Sequence, residues 1–155
     1  MERNVTTDLS HAPVNAVYRC AHYGHYCQKR ARPASLARQE RICRDFATEK
    51  GWLILNEHIY TDVTLCGTKK VETKGLDAFV AAAQTSPRPF DYVLFDDSYV
   101  LGEFAKMREF EKLMRHHAIK VCFVSQRLDS DDPTIFMVFM VLSGVLAEIT
   151  TRRKK

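Results

Sequence analysis

No two cysteines in this 155-residue chain are spaced Cys-x-x-Cys. The five that occur are Cys20, Cys27, Cys43, Cys66 and Cys122, an odd number, several of them inside apolar runs. That usage predicts reduced thiols and a cytoplasmic protein. The N-terminus, Met1 to Asp8, lacks the apolar core of a secretory leader. The most apolar run, Ile135 to Leu146, is shorter than a bilayer span and contains Ser143 and Gly144, so no membrane role is expected. Internal repeats and low-complexity tracts are missing. Charge of one sign hardly dominates either. A formal charge of +4 permits nucleic-acid binding and equally suits a slightly basic soluble surface.

What is present is an alternation of short apolar runs and helical patterns. Residues 1–14 are polar and read as a mobile N-terminal arm, with one domain over residues 15–155. Ala16 to Tyr26 reads as a strand, and Trp52 to Tyr60 as a second. Phe90 to Asp96 and Ile119 to Val124 complete the strand set. Helical patterns fall at Ser35 to Lys50, Gly75 to Gln84 and Leu101 to His117. A last helix opens at Asp132-Pro133. Strand and helix alternating through short connections predict an α/β fold. The expected form is three layers around a central, mainly parallel sheet of four to five strands, with a long C-terminal helix.

The chain is organised around Tyr23 to Cys43. A strand ends at Tyr26-Cys27, a basic loop follows, and Pro33-Ala34-Ser35 starts a helix with Ser35 as N-cap. Cys27 therefore stands at the carboxyl end of the first strand, the edge where open α/β sheets hold their ligands. The last helix is different in kind. Ile135 to Leu142 is apolar all round, and its own sheet can cover one face only. A partner copy is expected to cover the rest, through residues 135–149, making a homodimer or higher oligomer. The alternative is a central core helix in a monomer. His116 and His117, at a helix end, are expected only to meet terminal carbonyls.

The order of these pieces resembles the catalytic domain of serine recombinases, the resolvase/invertase family and its large members. That family carries Tyr-Ala-Arg-x-Ser at the end of its first strand. A loop and Pro-Ala-Ser-[Ile/Leu]-x-x-Gln-x-x-x-Cys follow, and Tyr23 to Cys43 fits this spacing without a gap. Gly51-Trp52, His58 to Asp62, Cys66-Gly67, Asp96-Asp97 and Phe123 to Gln126 look like successive landmarks. The resemblance covers residues 16 to 152. It implies DNA as partner and metal-free, cofactor-free transesterification: a serine hydroxyl attacks a phosphodiester while arginines stabilise the pentacoordinate phosphorus. It also implies continuation through the long helix into DNA-binding domains.

At most family active-site positions this chain carries something else. The nucleophile position is Cys27, and His25 stands where an arginine is expected. Gln39 and Asp62 are retained, whereas the loop serine is Cys66. Thr73 replaces an arginine at the next helix start. Past the third strand come Tyr99, then Val100 and Glu103 in place of two arginines. Glu103 adds negative charge where phosphate oxygens should bind. Four positioned cations are thus missing, and each is typically worth about two to three orders of magnitude in rate. The expectation is a domain that has kept the scaffold and lost strand transfer. It would act as a regulator or as the non-catalytic partner of an active recombinase. An active recombinase rebuilt around Cys27 and a purely protein–protein module are the alternatives.

Other candidate chemistry is weaker. A Cys27 thiolate is a soft nucleophile, poor toward phosphodiesters, so an inert or redox-sensitive thiol is the competing expectation. Cys20, His22, His25 and Cys27 are zinc-binding types, but strand alternation sends the first two to one face and the last two to the other. No metal site is expected. Lys29, Arg30 and Arg32 in the loop, with Arg152, Arg153, Lys154 and Lys155 at the end, are the candidates for weak phosphate contact. A solvated loop and tail would look the same in sequence.

Overall fold

The computed structural model describes residues 17–28, 32–65, 73–102 and 104–153. The N-terminal arm, Lys29, Arg30, Cys66, Glu103, Lys154 and Lys155 lie outside these described residues.

The chain runs β1 (Arg19–Cys27), α1 (Leu36–Lys50), β2 (Leu53–Thr64), α2 (Lys74–Ala83) and β3 (Tyr92–Phe95). A 3-10 turn (Ser98–Leu101), α3 (Phe104–His116), β4 (Lys120–Phe123), β5 (Leu128–Asp129) and α4 (Pro133–Arg153) follow. The five strands form one sheet in the order β2-β1-β3-β4-β5. The first four are parallel, and β5 closes one edge antiparallel to β4. The expected α/β fold is therefore present, at the upper end of the expected strand number.

Both faces of the sheet are covered, as a parallel sheet requires. On one face α1 lays down Cys43 and Ala47 against Cys20, Ile54, Leu94 and Cys122. On the other, Phe79 of α2, Met107, Phe110 and Met114 of α3 and Phe136 of α4 pack on Tyr23, Val93, Phe95 and Phe123. The caps of α1 are those the sequence predicts. Ser35 Oγ accepts from Arg38 N at 3.2 Å, and Gly51 ends the helix at φ 71°, a left-handed conformation cheap only for glycine.

Two boundaries differ from expectation. β2 continues to Thr64 rather than ending at Tyr60, because its parallel register with β1 runs on to Cys27↔Thr64. The helix expected from Leu101 starts at Phe104, since Gly102 at φ 79° and ψ −125° breaks the chain after the 3-10 turn.

The last helix has 21 residues, and only Phe136 on it is buried. Its exposed side chains include Ile135, Val138, Val141, Leu142, Leu146 and Ile149, each at least 45% exposed. By length and composition α4, with a mean hydropathy of 1.9, is sufficient to cross a bilayer. The run judged too short in sequence is extended by its flanks, Pro133-Thr134 and Ala147 to Arg153.

Candidate active site

The sheet reverses its winding direction between β1 and β3. Ligand crevices in open α/β sheets form at this point, beyond the carboxyl ends of the strands. β1 and β3 pair only through Cys20↔Tyr92, Ala21↔Val93 and His22↔Leu94. Past His22 the backbone of β1 has no strand on that side, yet buried amides and carbonyls require partners. Gln39, buried on α1, supplies them. Its Oε1 accepts from His25 N at 3.0 Å, and its Nε2 donates to His25 O at 2.9 Å and Ala34 O at 3.0 Å. One amide thus takes the place of a strand and also fastens the turn before α1.

The His25 side chain bridges two elements at this edge of the sheet. Its Nδ1 is 3.2 Å from Val100 O, and its Nε2 is 2.8 Å from Thr64 Oγ1. A carbonyl can only accept, so Nδ1 donates to Val100. The imidazole therefore ties β2 to the 3-10 turn, and both of its nitrogens are engaged. Cys27, partly exposed, stands opposite Thr64 in the β1–β2 register, and Gln28 N donates to Thr64 O at 2.9 Å.

Val100 is held by a second polar network. Gln126 Oε1 accepts from Ser98 N at 2.8 Å, and its Nε2 donates to Ser98 Oγ at 3.0 Å. Ser125 Oγ donates to the buried carboxylate of Asp96. With the turn pinned this way, the Val100 carbonyl reaches His25 while its side chain is 3% exposed, inside the core. Tyr99, on the same turn, is 65% exposed, and its amide donates to Asp97 Oδ1 at 2.8 Å.

Asp62 has a different use. It accepts from Gly75 N and Leu76 N at 2.8 Å each, and from Tyr23 Oη at 2.8 Å. It therefore caps α2 from a neighbouring strand, where negative charge meets the helix N-terminus favourably. Burial, and then the Asp62 carboxylate, push the Tyr23 phenol well above its ordinary value. Thr73 occupies the N-cap position without a capping bond; its hydroxyl donates to Asp77 Oδ2 at 3.2 Å instead. Gly75 permits the close approach of α2 to β2, since a Cβ there would sit 2.3 Å from Thr61 O.

Of the positions expected from sequence, His25, Gln39 and Val100 converge on the crevice. Cys27 stands opposite Thr64 at its edge, and Asp62 serves α2 beside it. Thr73 and Tyr99 are exposed nearby. Arg32 is exposed at φ 53° beyond β1, and Arg152 and Arg153 are exposed at the end of α4, Arg152 bridged to Glu148 at 2.6 Å. Thr64 was missed. The signal for it is its two-residue step from Asp62, which puts both on one face once β2 is read to its full length. His22, in sequence one of the zinc-binding residue types, has a different place in the fold. It is fully buried, with Nδ1 3.0 Å from Leu94 O and Nε2 without a partner.

The chain as a whole matches known proteins in fold and in family. The N-terminal catalytic domain of TP901-1 integrase superposes with a TM-score of 0.66 at 16% identity, covering 88% of this chain and 99% of that one. A resolvase family site-specific recombinase from Streptococcus pneumoniae gives 0.66 at 14% identity, covering 88% and 92%. The C-terminal catalytic domain of ISC1926 TnpA, an IS607-like serine recombinase, gives 0.54 at 22% identity, covering 68% and 67%. No curated protein sequence matches the chain. The family model described as the resolvase N-terminal domain matches residues 28–155, and the chain belongs to that family of site-specific DNA recombinases.

Proposed function

We propose that this chain is a recombinase-family domain that has lost strand transfer and acts as a regulator or as the non-catalytic partner of an active recombinase. One observation carries this. His25 stands where the family resemblance expects a phosphate-binding arginine, and both its ring nitrogens are spent on Thr64 and Val100. Phosphoryl transfer depends on donors aimed at the charge that develops on phosphorus, each typically worth about two to three orders of magnitude. The side chains at the other cation positions are a buried valine, an exposed threonine and, in sequence, Glu103. None is a cation.

Association with DNA is proposed to be weak and phosphate-directed, through Lys29, Arg30, Arg32 and the stretch Arg152 to Lys155. Oligomers would form through residues 135–149, where the exposed apolar stripe of α4 supports the reading of the chain as a dimerisation module. The free thiols of Cys20, Cys27, Cys43 and Cys122 fit a reducing, cytoplasmic setting.

The decisive experiment incubates the protein with supercoiled plasmid carrying candidate sites, quenches with detergent and looks for protein covalently attached to DNA. No adduct is expected from the unmodified chain or from Cys27→Ser alone. Cys27→Ser with His25→Arg, Thr73→Arg, Val100→Arg and Glu103→Arg is the smallest set expected to approach cleavage. An adduct mapping to Cys27 in the unmodified chain would overturn the proposal and establish a cysteine-dependent recombinase.

A further inference from the structure

His22 is fully buried, and its two ring nitrogens are treated unequally. Nδ1 lies 3.0 Å from Leu94 O, and a carbonyl can only accept, so Nδ1 carries the proton of the neutral ring. Nε2 is then a bare acceptor, buried and, among the described residues, without a partner. Buried polar atoms are nearly always paired, so this exception calls for an explanation.

Two residues on, Gly24 stands where the family pattern has alanine. A Cβ on Gly24 would lie 3.3 Å from His22 Nε2, 3.3 Å from Gln39 Oε1 and 3.4 Å from a Leu36 methyl carbon. The glycine thus leaves a gap the size of one methyl group, bordered by both His22 Nε2 and Gln39 Oε1. That same Oε1 holds the His25 amide at 3.0 Å. The unpaired nitrogen and the oxygen that fixes the end of β1 therefore face each other across the gap.

We propose that His22 is a proton-operated latch on the carboxyl end of β1: once protonated, its Nε2 donates to Gln39 Oε1, which releases the His25 amide. The charged groups around the ring are compatible with this. On α1, Glu40 and Arg44 are paired with each other at 2.8 Å, and past β3 the Asp96 carboxylate accepts from Ser125 Oγ. Their sum is one negative charge, which favours an imidazolium, while each carboxylate already has a partner of its own. Burial keeps protonation below the ordinary histidine value of 6.5, so the latch is closed at neutral pH. Mild acidification then loosens the strand end that carries His25 and Cys27 on its open side, while pairing with β2 persists. The assignment does not depend on whether the chain cleaves DNA.

The test is a pH titration of the isotopically labelled full chain by NMR. It follows the His22 ring, the Gln39 side-chain amide and the protection of the His25 amide, corrected for the pH dependence of exchange itself. All three should change with one midpoint, His25 amide protection falling roughly tenfold as its hydrogen bond is lost. Gly24→Ala places a methyl group between the two atoms with a residue the family pattern already has there. In that variant His22 should still titrate and the His25 amide should no longer respond. His22→Asn should abolish the response. His25→Asn should leave the joint titration of His22 and Gln39 in place, which separates the latch from the His25 ring's own proton. A His25 amide that stays protected while His22 titrates would overturn the proposal. So would a response that survives Gly24→Ala or His22→Asn, or a chain that unfolds before His22 takes up its proton.

Discussion

Gln39 holds His25 by both of its backbone groups, Oε1 accepting at 3.0 Å and Nε2 donating at 2.9 Å, from a helix that lies across the open side of β1. On its open side the carboxyl end of β1 is thereby positioned by a side chain, while on the other it pairs with β2 as far as Cys27↔Thr64. The residue held this way is the one whose ring reaches Thr64 and Val100.

Gln39→Leu should therefore cost more than its volume suggests. It strands the amide and carbonyl of His25 and the carbonyl of Ala34, with an expected loss of about 2–3 kcal/mol. Urea denaturation of the two proteins gives the comparison. A loss below about 0.5 kcal/mol would mean that water replaces the side chain.

Asp62→Ala should loosen α2 selectively. Gly75 and Leu76 lose their acceptor, and Tyr23 keeps a buried hydroxyl without one. A cap of this kind is worth about 1–2 kcal/mol. Hydrogen exchange should accelerate first at the Gly75 and Leu76 amides. Uniform acceleration through β3 and α3 would contradict a local capping role.

His22 gives stability a pH dependence. Burial is the larger influence and lowers its basicity below the ordinary histidine value of 6.5, and the hydrogen bond to Leu94 offsets this in part. The unfolded chain therefore binds this proton more readily than the folded one. Stability should be complete above about pH 6.5 and decline as the pH falls below it. His22→Asn, which keeps a donor for Leu94 O, should remove that part of the slope. Parallel pH profiles for the two proteins would refute it.

The exposed stripe of α4 should govern self-association. Val138→Lys with Leu142→Lys places charge at the centre of that stripe and should yield monomers by sedimentation velocity. An unmodified chain that remains monomeric at high concentration would rule out this surface.

The local order of this protein could be read from its residues. Ser35, Gly51 and Asp132-Pro133 mark helix ends through chemistry that acts within one turn. Four-residue apolar runs such as Tyr92 to Phe95 are legible as buried strands because burial on both faces demands them. The spacing from Tyr23 to Cys43 carried the family resemblance, and a family match over residues 28–155 bears it out. Other features required the tertiary structure. The length of β2 is set by its register with β1, so Thr64 could not be seen as a site residue from its neighbours. Asp62, carried over as an active-site acid, is committed to α2 by amides thirteen and fourteen residues away. His25 and Val100 meet across 75 residues, beyond the point at which β1 and β3 stop pairing at His22. Propensity and capping act over a few bonds and are written in order along the chain, whereas a hydrogen bond between distant segments is decided only when the sheet brings them together.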